Sequence, residues 1–150
     1  MSIKSFFAIP FAKMATRKVY KWADNPHKTQ EKVFKNLISK GSKTAFGKDH
    51  NFSTISNYED FKKQVKVTDY EGLRPYIDRM VAGESDILWV GKPLYFAKTS
   101  GTTSGAKYIP ITKDSMPTHI KAAKNALLFY IAEKNDASFV NGKMIFLQGS

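Results

Sequence analysis

The sequence contains no cysteine. This excludes a disulfide framework, a thiolate metal site and a cysteine nucleophile, so any chemistry rests on oxygen and nitrogen groups. Arginine is scarce: Arg17, Arg74 and Arg79 stand alone in a chain with a formal net charge of +11. No apolar run approaches the roughly 18 residues that a membrane-spanning helix needs. Near the start, Phe6, Phe7, Ala8 and Ile9 are interrupted by Pro10 and Lys13, and no small-residue cleavage site follows. That pattern does not fit a secretory leader, and it reads as mature sequence of a cytoplasmic protein. Internal repeats, low-complexity tracts and dividing linkers are also lacking, and 150 residues suit one domain or part of one. What is present is ordinary globular material, 42% apolar and 13% aromatic, which argues against a disordered tail.

The positive charge is uneven. Residues 1–66 hold 14 basic and 5 acidic side chains, a net of +9, which leaves +2 for the remainder. Lys28, Lys32, Lys35, Lys40, Lys43 and Lys48 are spaced singly, as on a solvated helix face. Base reading and bidentate phosphate recognition lean on arginine. A solvated surface that draws in anionic ligands therefore accounts for the charge, and nucleic acid is not the expected partner.

Helical spacing appears at Val33, Phe34, Leu37 and Ile38, with Gly41 placed for a left-handed cap and an earlier helix over part of Ala12–Trp22. Ser56 and Glu59 have the form of a capping box opening a short helix that turns Tyr58, Phe61 and Val65 inward. Asp69 caps a turn through Leu73, and Pro75 suits the first position of a further helix that ends near Gly83 and buries Tyr76, Ile77 and Met80. Strand-like runs follow at Ile87–Val90 and Leu94–Ala97, separated by Gly91, Lys92 and Pro93. After a Gly/Ser/Thr loop comes a strand at Tyr108–Ile111, then a long helix capped by Thr112, with Met116, Ile120, Ala123, Leu127 and Ile131 at helical spacing. Asn141–Gly142 reads as a turn and Lys143–Leu147 as a buried strand. The fold class is α/β: N-terminal helices, then a mixed β-sheet with a covering helix. A chain that stops straight after a strand, at Ser150, is expected to be a portion of a longer protein.

The chemistry concentrates in Phe96-Ala-Lys-Thr-Ser-Gly-Thr-Thr-Ser-Gly-Ala-Lys107. Glycine lets the backbone turn sharply and bring N–H groups against an anion; Ser100, Thr102, Thr103 and Ser104 add hydroxyl donors and Lys107 a positive charge. Polyphosphate, with several oxygens at once, suits this set. A flexible surface loop is the bland alternative, weakened by the flanking strands and the lysine. A Walker A loop is excluded, because Gly101 and Gly105 are four apart, Ala106 precedes the lysine and Tyr108 follows it.

This segment resembles the phosphate-binding signature of the adenylate-forming superfamily. Its surroundings resemble the auxin-responsive acyl-acid amido synthetases and their bacterial relatives, through Thr44-Ala-Phe-Gly-Lys-Asp-His50, Tyr58-Glu-Asp-Phe61, Val67-Thr-Asp-Tyr-Glu71, Pro75-Tyr-Ile-Asp-Arg-Met80, Gly83-Glu84 and Lys107-Tyr-Ile-Pro110. The match covers about Lys28 to Ile111, within the N-terminal portion of much longer family members. The resemblance implies that residues 1–150 belong to the large ATP- and acyl-binding domain. It further implies a ligase in which a carboxylate attacks the α-phosphate of ATP, giving an acyl adenylate and pyrophosphate, and the amine of an amino acid then takes the acyl group to form an amide. It assigns phosphate binding to Thr99, Ser100, Gly101, Thr102, Thr103, Gly105 and Lys107, with Mg²⁺ assisting and no dedicated general base. The later motifs for adenine, ribose and the acyl pocket are absent from these residues, so this portion alone is expected to be inactive. Two other readings differ in what they predict: a thiol acceptor such as coenzyme A, and a basic module binding nucleic acid in a salt-dependent way.

His27, His50 and His119 are far apart in sequence and no carboxylates mark them as metal ligands. Asp69 and Glu71 read as helix-capping residues rather than a catalytic pair. Trp22 and Trp89 read as core or interface aromatics, and Tyr70, Tyr76 and Arg79 as possible borders of a substrate site.

Overall fold

The computed structural model describes residues 3–101 and 105–143. The order is α1 (Ile3–Tyr20), α2 (Pro26–Gly41), α3 (Ala45–Asp49), α4 (Tyr58–Gln64), α5 (Tyr70–Val81), β1 (Tyr95–Lys98), β2 (Tyr108–Ile111) and α6 (Met116–Lys134), with 3₁₀ turns at Phe52–Thr54 and Ser138–Asn141. The chain is mostly helical, with a two-stranded antiparallel sheet among the described residues. It divides into two compact units, Met1–Pro26 with Thr118–Ser150, and His27–Pro117.

In the first unit, Ala12, Ile131 and Ala137 are buried, with Ala8, Ile9, Leu128 and Phe139 packed against them. Helix α1 runs through Pro10 and begins nine residues before the Ala12–Trp22 span in which the sequence places a helix. Proline forfeits one backbone bond and costs about 3 kcal/mol in a helix interior; burial of Ala12 and its neighbours offsets this. The apolar stripe expected on α6 is only partly used within this unit: Ile131 is 4% exposed, whereas Ile120 is 62% exposed.

The second unit holds the loop. Helix α2 begins at Pro26, whose fixed φ and missing N–H suit a first helical position. Of its predicted core face, Ile38 is buried and Phe34 packs against the cluster of Ile38, Phe52 and Ile55, while Val33 and Leu37 stay half exposed. Gly41 is not a left-handed cap. It is the last, buried residue of α2, where a Cβ would come within 2.9 Å of the Phe52 ring.

Helix α4 is capped one residue later than the Ser56/Glu59 pattern suggests. Asn57 accepts from the Asp60 amide and Asp60 accepts from the Ser56 amide, a reciprocal pair of the same kind. Phe61 and Val65 turn inward, but Tyr58 is 61% exposed. Asp69 caps α5 by accepting from the Gly72 amide. From there a single helix reaches Val81 through Pro75, in place of a turn and a second helix, held by Ile77 and Met80, each 3% exposed.

The run Ile87–Val90 is not a strand. The Asp86 and Ile87 carbonyls instead accept from the Ala45 and Phe46 amides, satisfying the open N-terminus of α3, and Ile87 is buried there. Periodicity alone did not distinguish an apolar run in a sheet from one packed on a helix end. The strands flanking the loop lie one residue or less from where the sequence put them, paired in the register Tyr95↔Ile111 to Lys98↔Tyr108. The predicted mixed sheet is thus two-stranded as described, and residues 144–147 of the fourth predicted strand lie outside the described residues.

Candidate phosphate-binding loop

Residues 99–107 connect β1 to β2, so the hairpin sets where the loop begins and ends. Its neck is closed by two bonds beyond the ladder. The Thr99 amide donates to the Lys107 carbonyl at 3.0 Å, and the Lys107 amide donates to Thr99 Oγ1 at 3.1 Å. Thr99 therefore acts first as a clasp, with its hydroxyl proton still available to an anion.

Gly101 has φ +61°, and a Cβ there would lie 2.7 Å from the Ala106 nitrogen and the Gly105 carbonyl carbon, so only glycine fits this close backbone approach. Gly105 has φ +79° with open space around it. Thr99, Ser100 and Gly105 are exposed, and Lys107 is half-buried. The structure thus gathers five of the seven sequence-predicted residues at one hairpin end. Thr102 and Thr103 lie outside the described residues.

One residue contributes support to the loop that the sequence reading placed only at the border of a substrate site. Tyr70, the first residue of α5, accepts a hydrogen bond from the Tyr108 amide through its phenol oxygen, at 2.9 Å. Successive amides of an extended strand point to opposite edges, so this is the edge amide that β1 does not use. Lys107 Nζ lies 5.5 Å from the centre of the same ring, and the Arg74 guanidinium 5.8 Å from it. Arg74 is also paired with Glu71 at 2.8 Å, whereas Lys107 makes no ion pair among the described residues. A cation without an ion pair among the described residues, on the same hairpin end as backbone turns at positive φ and exposed hydroxyls, is a donor set that fits an anion with several oxygens.

The other candidates are structural. His50 donates from Nδ1 to the Phe46 carbonyl at 2.8 Å and stacks on the Phe46 ring. Tyr76 donates to Asp49, and burial pushes its phenol above the ordinary value. Arg79 is held by Glu84, and Trp89 Nε1 donates to Asp114, which also takes Lys40. Trp22 is 54% exposed. No group of three or more His, Asp or Glu side chains among the described residues is arranged to hold a metal ion. No helix among the described residues is long and apolar enough to cross a membrane.

Residues 15–148 match the GH3 family N-terminal domain. The indole-3-acetic acid-amido synthetase GH3.15 of Arabidopsis thaliana is 32% identical over 98 residues, covering 64% of this chain and 16% of the relative. The jasmonoyl-L-amino acid synthetase JAR4 of Nicotiana attenuata is 25% identical over 126 residues, 82% of this chain and 21% of its own. The 4-substituted benzoates-glutamate ligase GH3.12 of Arabidopsis thaliana is 30% identical over 107 residues, 71% and 17% of the two chains. The chain thus spans about a fifth or less of the length of these relatives. With nearly its whole length inside the family's domain, and with relatives whose names all describe amide-forming synthetases or ligases, the chain belongs to the GH3 family, as part of its N-terminal domain.

Proposed function

We propose that this chain supplies the ATP-phosphate grip of an amide-forming ligase, which adenylates a carboxylic acid and transfers the acyl group to an amino acid. The observation that carries the reading is the loop itself: Gly101 and Gly105 at positive φ, exposed Ser100, and Lys107 without an ion pair among the described residues, all at one hairpin end.

In this reading the amides and hydroxyls of residues 100–105, with the Thr99 hydroxyl, receive phosphate oxygens, and Lys107 offsets their charge. The chain acts by binding and orienting. Fixed donors cost little reorganisation as charge moves during the reaction, which is where such sites gain most. The carboxylate oxygen bonds to the α-phosphorus and pyrophosphate leaves; the amine then bonds to the acyl carbon and AMP leaves. Magnesium, when bound, would neutralise phosphate charge. Support for amide chemistry comes from relatives named as synthetases or ligases joining indole-3-acetic acid, jasmonoyl or benzoate groups to amino acids or forming amides.

The test is product analysis by mass spectrometry, with the full-length protein, ATP, amino acids, and indole-3-acetic, jasmonic and 4-substituted benzoic acids. An acid–amino acid amide formed with AMP supports the reading. A coenzyme A thioester formed in place of the amide would overturn the acceptor, and no ATP-dependent product from any acid would overturn the whole.

A further inference from the structure

We infer that Tyr70 is a positioning residue for the phosphate grip, acting through Lys107 and through the Tyr108 backbone. The inference rests on the function proposed above. Tyr70 stands 38 residues before Tyr108, yet its phenol oxygen takes the Tyr108 edge amide at 2.9 Å. Its ring lies 5.5 Å from Lys107 Nζ. One side chain, fixed at the start of α5 by the Asp69 cap, thus ties down both the exit of the loop and its cation.

The two contacts separate chemically. The ring attracts the ammonium through its quadrupole, which phenylalanine retains and leucine lacks. The hydrogen bond needs the phenol oxygen, which both lack. Arg74 does not take over the role of Lys107, because Glu71 compensates its charge at 2.8 Å.

The experiment measures ATP affinity by calorimetry on the full-length protein, for the wild type, Tyr70→Phe, Tyr70→Leu, Lys107→Ala and the two double variants. Hydrogen exchange at Tyr108 is measured alongside. Tyr70→Phe is expected to weaken ATP about threefold to fivefold and to speed exchange at Tyr108 while leaving exchange in α2 unchanged. Tyr70→Leu is expected to weaken ATP about threefold beyond Tyr70→Phe, and this extra loss disappears in the Lys107→Ala background. Those results carry the inference, and Tyr70→Phe alone tests it if Tyr70→Leu does not fold. Wild-type affinity in the Tyr70 variants, or a Leu-to-Phe difference that persists without Lys107, overturns it while the proposed function stands. A wild type that does not bind ATP overturns both.

Discussion

Thr99 and Lys107 exchange two hydrogen bonds, one from the Thr99 amide to the Lys107 carbonyl at 3.0 Å and one from the Lys107 amide to Thr99 Oγ1 at 3.1 Å. The second continues the hairpin with a side chain in place of a carbonyl. It gives Thr99 a role that a list of phosphate-binding hydroxyls does not contain, that of closing the loop.

Thr99→Val keeps the shape of threonine and removes the acceptor. It is expected to weaken ATP binding by about 1 kcal/mol, the usual net worth of such a bond, with Thr99→Ser close to wild type. Calorimetric titration of the full-length variants checks this, and equal affinities for the Val and Ser variants would show that the clasp is idle.

Gly101 and Gly105 should not respond alike. Gly101→Ala places a Cβ 2.7 Å from backbone atoms of Gly105 and Ala106, so the loop must rearrange. Gly105→Ala meets nothing within 4 Å and bears only left-handed strain, about 1–2 kcal/mol. ATP affinity is expected to fall at least tenfold for Gly101→Ala and clearly less for Gly105→Ala; the reverse order would contradict the loop geometry.

The loop and its strands were legible from the sequence because their signals are local. Gly101, Gly105 and the hydroxyls sit between two short apolar runs, and the observed pairing of Tyr95–Lys98 with Tyr108–Ile111 follows from that order. Tyr70 was noted only as a possible border of a site, since a contact across 38 residues leaves no trace in spacing. Ile87–Val90 was misread for a related reason. Its residues suit a strand, but its carbonyls are taken by the open end of α3, a tertiary demand invisible in the run itself. Pro75 was likewise given the weight of a helix boundary, where burial of Ile77 and Met80 carries α5 past it.

Asp86 links that segment to pH. It has φ +58°, and its carboxylate accepts from the Gly91 amide at 2.7 Å. That backbone bond, followed by a hydrogen bond from Ser85, holds its pKa below the ordinary 3.8. A depressed folded value means the contribution to stability is complete above about pH 3.8 and is lost as pH falls through the lower folded value. Asp86→Asn retains an acceptor and tolerates positive φ. Its unfolding midpoint is therefore expected to lie below wild type at pH 7 and to fall less steeply below pH 3.8, which thermal scans at stepped pH measure directly.

Asp69→Ala removes the cap of α5, at a cost of about 1 kcal/mol in stability. The same change frees the start of the helix that carries Tyr70. Faster hydrogen exchange at Tyr108 should accompany the lower melting temperature; a stability loss with unchanged exchange there would separate the cap from the loop.

The central claim, that this loop grips the phosphates of ATP during acid activation, is tested most directly by pyrophosphate exchange. The full-length protein is given labelled pyrophosphate, ATP and a panel of carboxylic acids, with Ser100→Ala and Thr103→Ala as controls. The account predicts exchange into ATP that depends on the acid and is lost in both variants. Absence of exchange with every acid, together with a salt-sensitive complex with DNA or RNA, would contradict it and identify a nucleic-acid-binding module instead.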